Sequence, residues 1–134
     1  MNRSVDLVIV GLTAAARSAA IAAARGGRSA LVVGRTTCRS RCRRFRRDLA
    51  AGLGGARRQV SVLTGVEVAC ADGAPGIEAV VLRRIRSGRL IAVNARALLV
   101  TTLVTTRVAA GLETPGWCQS DEFAARAARA QVPG

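Results

Sequence analysis

VDLVIVGLTAAARSAAIAAARGGRSALVVGR, Val5 to Arg35, is the stretch on which the fold turns. Val5 to Val10 is an apolar run broken only by Asp6. A run of this kind suits a buried strand of a parallel sheet. Gly11 ends it. Ala14 to Arg25 is nearly all alanine, with Ile21 in the middle, and alanine is the strongest helix former. Gly26 and Gly27 stand where a helix C-terminus favours a residue without a Cβ. Ser29 to Val33 is a second apolar run. The order predicted is strand, tight turn, helix, strand.

Such a βαβ unit is how a dinucleotide-binding fold begins. Its fingerprint, G-x-G-x-x-G/A, is met in part by Gly11-Leu12-Thr13-Ala14-Ala15-Ala16. Gly11 takes the first place, which needs a tight turn. Ala16 takes the third, small enough for close helix–strand packing. Thr13 takes the second, where glycine lets the backbone approach a pyrophosphate and a Cβ stands in the way. The free N–H groups and positive dipole end of the helix remain. The competing interpretation is a structural turn without a ligand. An acid that accepts the ribose hydroxyls is expected at the end of the second strand. Gly34 stands there, followed by Arg35, and no carboxylate occurs between Asp6 and Asp48. A small residue followed by Arg is what a 2′-phosphate prefers, so Arg35 with Thr36 or Thr37 suits NADP. The alternative is that Arg35 is one more solvated arginine.

From Arg35 to Arg47 the sequence RTTCRSRCRRFRR carries seven arginines and no acid. It is expected to begin as a loop and enter a helix in which Phe45, Leu49 and Leu53 share one face. Gly52, Gly54 and Gly55 weaken its end. A phosphate or nucleic-acid contact and a solvated helix face both fit, and the solvated face is favoured. Beyond Gln59 the pattern changes to strands: Gln59 to Leu63, Val66 to Cys70, Ile77 to Ile85, Arg89 to Val93 and Ala97 to Thr102. Asp72-Gly73 and Pro75-Gly76 mark a turn, and Ser87-Gly88 reads as a two-residue hairpin. Asp121 to Gln131 is expected to be a helix capped by Ser120. The fold class is α/β: a Rossmann-like parallel sheet with a small antiparallel β-meander insertion, as one domain over residues 1–134.

The net charge is +13, and all 21 basic residues are arginine. The absence of lysine beside abundant alanine and glycine points to GC-rich codons as the source of much of this charge. Nucleic acid is expected to be held only non-specifically, at low salt. Aromatic residues are confined to Phe45, Trp117 and Phe123, too few for a base-stacking platform. There is no histidine, which removes the commonest general base and metal ligand. Cys38 and Cys42 form a single pair without the further ligands of a zinc or iron–sulfur site. With Cys70 and Cys118 they are expected to be reduced thiols of a cytoplasmic protein. No apolar run nears the roughly 18 residues of a membrane span. Arg3 followed by an apolar stretch imitates a secretion signal, but Asp6 and the second strand at βαβ spacing favour the fold.

Four stretches in order, VDLVIVG with AAIAAARGGRSALVV, VSVLTGVEV, GIEAVVLRRIRSGRLIAVNARALLVTT and TPGWCQSDEFAARAARAQVPG, resemble the FAD-binding domain of the pyridine nucleotide–disulfide oxidoreductase superfamily. The likeness is to the large amine- and amino-acid-oxidising chains of sarcosine oxidase (its alpha chain) and opine oxidase, and to the flavin-bearing chain of hydrogen cyanide synthase. The resemblance implies FAD as cofactor, with the pyrophosphate on Gly11, Leu12, Thr13, Ala14 and Ala16. It puts the missing acid at Gly34, the adenine by the backbone near Val68, and a cofactor-contacting turn on Thr101-Thr102-Leu103, with Thr102 at its centre and an arginine surviving as Arg107. It also implies a partner subunit in a hetero-oligomeric oxidoreductase. Thr13, Gly34 and Leu103 depart from the family's pattern. The family's second nucleotide domain, most of its substrate region and its iron–sulfur module do not appear in these residues. The function implied is an FAD-dependent oxidoreductase-like nucleotide-binding domain or subunit of the amine or amino-acid dehydrogenase type, weak or inactive alone. The alternatives are an NADP-binding or non-catalytic subunit-interaction module and a basic nucleic-acid-associated protein. No catalytic dyad, triad or activated nucleophile is identified.

Overall fold

The computed structural model describes residues 3–73 and 77–101 and the backbone of 117–119. Strand β1 (Arg3–Val10), helix α1 (Ala14–Arg25) and strand β2 (Ala30–Gly34) form the expected βαβ unit. β1 and β2 are parallel, with Leu7 opposite Ala30 and Val10 opposite Val33. Helix α2 (Arg39–Leu53) and a 3₁₀ turn (Gly54–Gln59) lead to β3 (Val60–Thr64), parallel to β2. Then come β4 (Val66–Asp72), β5 (Ala79–Arg84), β6 (Leu90–Val100) and β7 (Trp117–Gln119). The strand order is β3-β2-β1-β6-β5-β4, with β7 also on β6. β6 runs parallel to β1, and β7 parallel to β6, while β4, β5 and the start of β6 form an antiparallel meander.

Side-chain alternation along the parallel strands divides the core in two. Leu7, Ile9, Ala30, Val32, Ala97 and Leu99 face the helices. Val8, Leu31, Val33, Leu98 and Val100 face the other way and pack on Val66, Val68, Val80 and Leu82 of the meander. The meander therefore covers one face of the parallel sheet and the helices the other. Burial on both faces is why β1 and β2 read as continuous apolar runs. Gly65, at φ +72°, makes the sharp change of direction from edge strand β3 into β4.

Helix α1 turns Ala16, Ala20 and Ala24 inward, so its axis lies close to the sheet. Helix α2 buries Phe45, Leu49 and Leu53, as its spacing predicts, together with Cys42. Gly52 lies inside α2 instead of ending it: a Cβ there would run into Ile21 Cδ1 of α1. Asp6, an interruption in the sequence pattern, ties β1 to the entry of β2. Its Oδ2 accepts from the Ser29 backbone N–H (2.9 Å) and hydroxyl (3.3 Å), and its own N–H donates to Ser29 Oγ (3.0 Å).

Two readings change, and one element is added. Arg89–Val93 and Ala97–Thr102 are not two strands but the single strand β6. Its first half alternates exposed and buried residues, and its last four are all buried. The hairpin between β5 and β6 is wider than two residues: the N–H of Arg84 donates to Arg89 O at 2.8 Å, enclosing Ile85 to Gly88. Trp117–Gln119, assigned no element from the sequence, is a strand beside Leu98–Val100. The expected helix Asp121–Gln131, its cap Ser120, and Thr102, Leu103 and Arg107 lie outside the described residues. Among those described, no helix is long and apolar enough to cross a membrane.

Candidate functional site

The chain leaves β1 towards β2 on one side, and β6 later joins β1 on the other. β1 is thus the point where strand order reverses, and ligands of open α/β sheets bind beyond the strand ends at such a point. The turn Gly11–Thr13 sits there. Gly11 adopts φ +117°, a conformation that disfavours any side chain. Its N–H donates to Val33 O of β2 at 2.8 Å. Ala16, the third fingerprint position, is fully buried against the sheet.

Thr13 is the N-cap of α1. Its Oγ1 accepts from the Ala16 N–H at 3.1 Å and donates its proton to Thr101 Oγ1 at 2.8 Å. Thr101, just past β6, donates its hydroxyl to Val10 O at 2.7 Å and its N–H to the same oxygen at 2.9 Å. A chain of hydrogen bonds therefore runs from the helix tip to β6 and back to β1. It supplies internally part of what a bound anion supplies at such a tip. The N–H groups of Ala14 and Ala15, exposed and in the first turn, have no carbonyl of their own helix to meet. They remain directed donors at the positive end of the α1 dipole.

Gly34 ends β2 directly beneath Leu12. A Cβ at position 34 would lie 2.7 Å from Leu12 Cγ. The space into which an acid at this strand end would project thus holds the Leu12 side chain, which also joins the helix-side core. Arg35 is 63% exposed, and its Nε lies 3.5 Å from Glu67 Oε2 of β4. Arg83 approaches the other oxygen of Glu67 at 3.6 Å. Val68, next to Glu67, is buried in the meander-side core and pairs with Leu82 ahead of a β-bulge.

The structure thus brings Gly11, Leu12, Thr13, Ala14, Ala16, Gly34 and Arg35 together, with Val68 one residue from the carboxylate that Arg35 meets. One participant was placed only by the resemblance, and one escaped the sequence reading. Thr101, the first residue of the implied turn Thr101-Thr102-Leu103, completes the hydrogen-bond chain, while Thr102 lies outside the described residues. Glu67 is the acid beside Arg35, and it lies 32 residues further on. Tested against a dinucleotide, the donors of the α1 tip fit a pyrophosphate. The Leu12–Gly34 contact leaves no carboxylate for the adenosine ribose, so that half of the fit is missing.

No protein-family model matches the chain, and no curated protein matches it. Solved structures do. The FAD-dependent chondrochloren halogenase of a myxobacterium is similar, with a TM-score of 0.57 and 15% identity over 81% of this chain and 39% of that one. A geranylgeranyl bacteriochlorophyll reductase-like protein of Thermoplasma acidophilum gives 0.60 and 12%, over 83% of this chain and 42% of the other. The flavin-dependent monooxygenase PieE, solved with FAD and substrate, gives 0.59 and 16%, over 81% and 32%. The chain spans less than half the length of each. At these identities the likeness establishes the fold alone: a Rossmann-like α/β domain.

Proposed function

We propose that this chain is a dinucleotide-binding module of a flavoprotein oxidoreductase, weak in its hold on FAD and inactive alone. The observation that carries the reading is the α1 tip at the strand-order reversal, with Gly11 at positive φ and unpaired first-turn donors. The residues Leu12 to Ala15 would hold the pyrophosphate through backbone N–H groups and the helix dipole. Thr13 and Leu12 lower the affinity, the first by its Cβ and its bonds to Ala16 and Thr101, the second by filling the space beside Gly34. The flavin, when bound, supplies the redox chemistry. This chain's residues supply one wall of the site. The finer kinship with amine- and amino-acid-oxidising enzymes rests on the four quoted stretches, the last of which contributes Trp117 to strand β7 beside β6. In that setting a partner chain would complete the substrate site. The NADP alternative requires Arg35 to exchange Glu67 for a 2′-phosphate.

FAD titration, followed by quenching of flavin fluorescence, tests the reading. The unmodified protein should bind weakly, and Thr13→Gly should bind about tenfold more tightly, equivalent to about 1.4 kcal/mol. Excess FAD should also raise the melting temperature of the variant more than that of the parent. If neither protein binds FAD at millimolar concentrations, or Thr13→Gly binds no better than the parent, this account of the turn is wrong.

A further inference from the structure

The most concentrated charge in the molecule lies away from the dinucleotide turn. Arg39, Arg43, Arg46 and Arg47 of α2 and Arg57 of the 3₁₀ turn line an open groove of about 610 Å³ with no carboxylate among its lining residues. The carboxylates that pair with arginine lie outside the groove lining, and one of them, Asp48, reaches a groove arginine. Glu67 is engaged by Arg35 and Arg83. Asp48, the one acid of α2, is 3.5 Å from Arg17 and 3.9 Å from Arg47. Arg46 is steadied by a bond of 3.3 Å from its guanidinium to Val62 O. Among the described residues Arg39, Arg43 and Arg57 have no ion-pair partner, and all three are exposed. Arg39 also opens the helix, where the dipole disfavours a cation, and no acid offsets it in the first turn.

The arrangement has a period. Arg39, Arg43 and Arg47 follow at four-residue spacing, about 6 Å apart along the helix axis. A row of guanidiniums at that interval suits a chain of phosphates, each of which a guanidinium fork can hold in a bidentate way. A single phosphate would need only one or two of them. The one aromatic ring of α2, Phe45, is buried, so the groove has no platform on which bases stack.

We propose that this groove binds the phosphate backbone of nucleic acid, by charge and without reading bases. This goes beyond the codon-bias explanation of the composition, because it assigns binding to one face of the protein. It is also independent of the flavin reading, since it uses none of the residues of the β1–α1 turn.

The test uses the full chain and a fluorescein-labelled single-stranded 20-mer of mixed sequence, with anisotropy followed over a salt series. The triple variant Arg39→Gln/Arg43→Gln/Arg57→Gln should lose at least tenfold in affinity at about 0.1 M salt. Its log–log salt slope should flatten by about two, the loss expected for three phosphate contacts on a single strand. A control with the same net charge, Arg25→Gln/Arg28→Gln/Arg89→Gln, should lose less than threefold. The corresponding Arg→Lys triple should retain most of the affinity, which separates loss of charge from loss of fold. Scrambled oligonucleotides should bind equally. Equal losses in the two Gln triples would overturn the proposal, since net charge and not the groove would then govern. So would absence of binding by the parent at that salt, or a marked preference among sequences.

Discussion

Thr13 shows how one side chain changes what a helix tip offers. A glycine there would leave the tip bare for a ligand. The threonine hydroxyl instead receives the Ala16 N–H and reaches across to Thr101. Threonine-to-glycine exchange at an N-cap costs only a few tenths of a kcal/mol, and a lost hydrogen bond about 1 kcal/mol, so Thr13→Gly should remain folded for the FAD titration. Cys38 is a second position where local chemistry makes a specific outcome. It is the N-cap residue of α2, with Sγ 3.2 Å from Ser40 Oγ. The Ser40 hydroxyl bond, then the Arg41 backbone bond, hold its thiol below the ordinary thiol range, against slight desolvation; the Arg41 charge adds to this. The thiolate is the reactive form. Cys38 should therefore alkylate faster with iodoacetamide than buried Cys42, read site by site by mass spectrometry. Its rate should fall as pH drops through a half-point lower than that of an unperturbed thiol. Ser40→Ala should move that half-point up. Equal labelling of Cys38 and Cys42 would contradict the assignment.

The helices show how faces decide packing. Alanine at positions 16, 20 and 24 brings α1 close to the sheet, and Gly52 brings α2 close to α1 at Ile21. Replacing glycine by alanine inside a helix ordinarily stabilises by about 0.4–1 kcal/mol. Here the sign should reverse, because overpacking costs about 1–3 kcal/mol. Gly52→Ala should lower the melting temperature, and adding Ile21→Ala should recover part of the loss beyond additivity. A stabilised Gly52→Ala protein would show instead that Ile21 Cδ1 swings aside at little cost. The phase of α2 was legible, because Phe45, Leu49 and Leu53 repeat at helical spacing. The unity of β6 was not. Its first half has one wet face and its second half none, so one strand carries two different patterns and reads as two.

The whole molecule is held by the layer between meander and parallel sheet. Leu82 of β5 is fully buried there, in the cluster that includes Leu31 and Leu98. Leu82→Ala should cost about 2–5 kcal/mol, a large share of the 5–15 kcal/mol typical of a folded domain. A denaturant melt reads this directly, and a loss under about 1 kcal/mol would mean that the meander is not part of the cooperative core. The same layering separates the two proposed sites: the Gly11–Thr13 turn lies where strand order reverses at β1, and the arginine groove lies along α2. Charge is distributed accordingly: acids partner Arg17, Arg35 and Arg83, while no carboxylate lines the groove and Asp48 reaches only its Arg47, at 3.9 Å.

From the sequence follow the features carried by near neighbours in the chain: the apolar runs of β1 and β2, the alanine helix between them, the buried face of α2 and the fingerprint positions Gly11 and Ala16. These depend on periods of two and 3.6 residues and on turn chemistry, which a few consecutive residues define. Tertiary structure alone decided the rest. Thr13 meets Thr101 across 88 positions, Leu12 covers Gly34, Glu67 draws in Arg35, and Arg57 joins the stripe on α2 to make a groove. Each of these joins residues far apart in the chain, and no local period encodes which distant partner a side chain will find once the strands are ordered in the sheet.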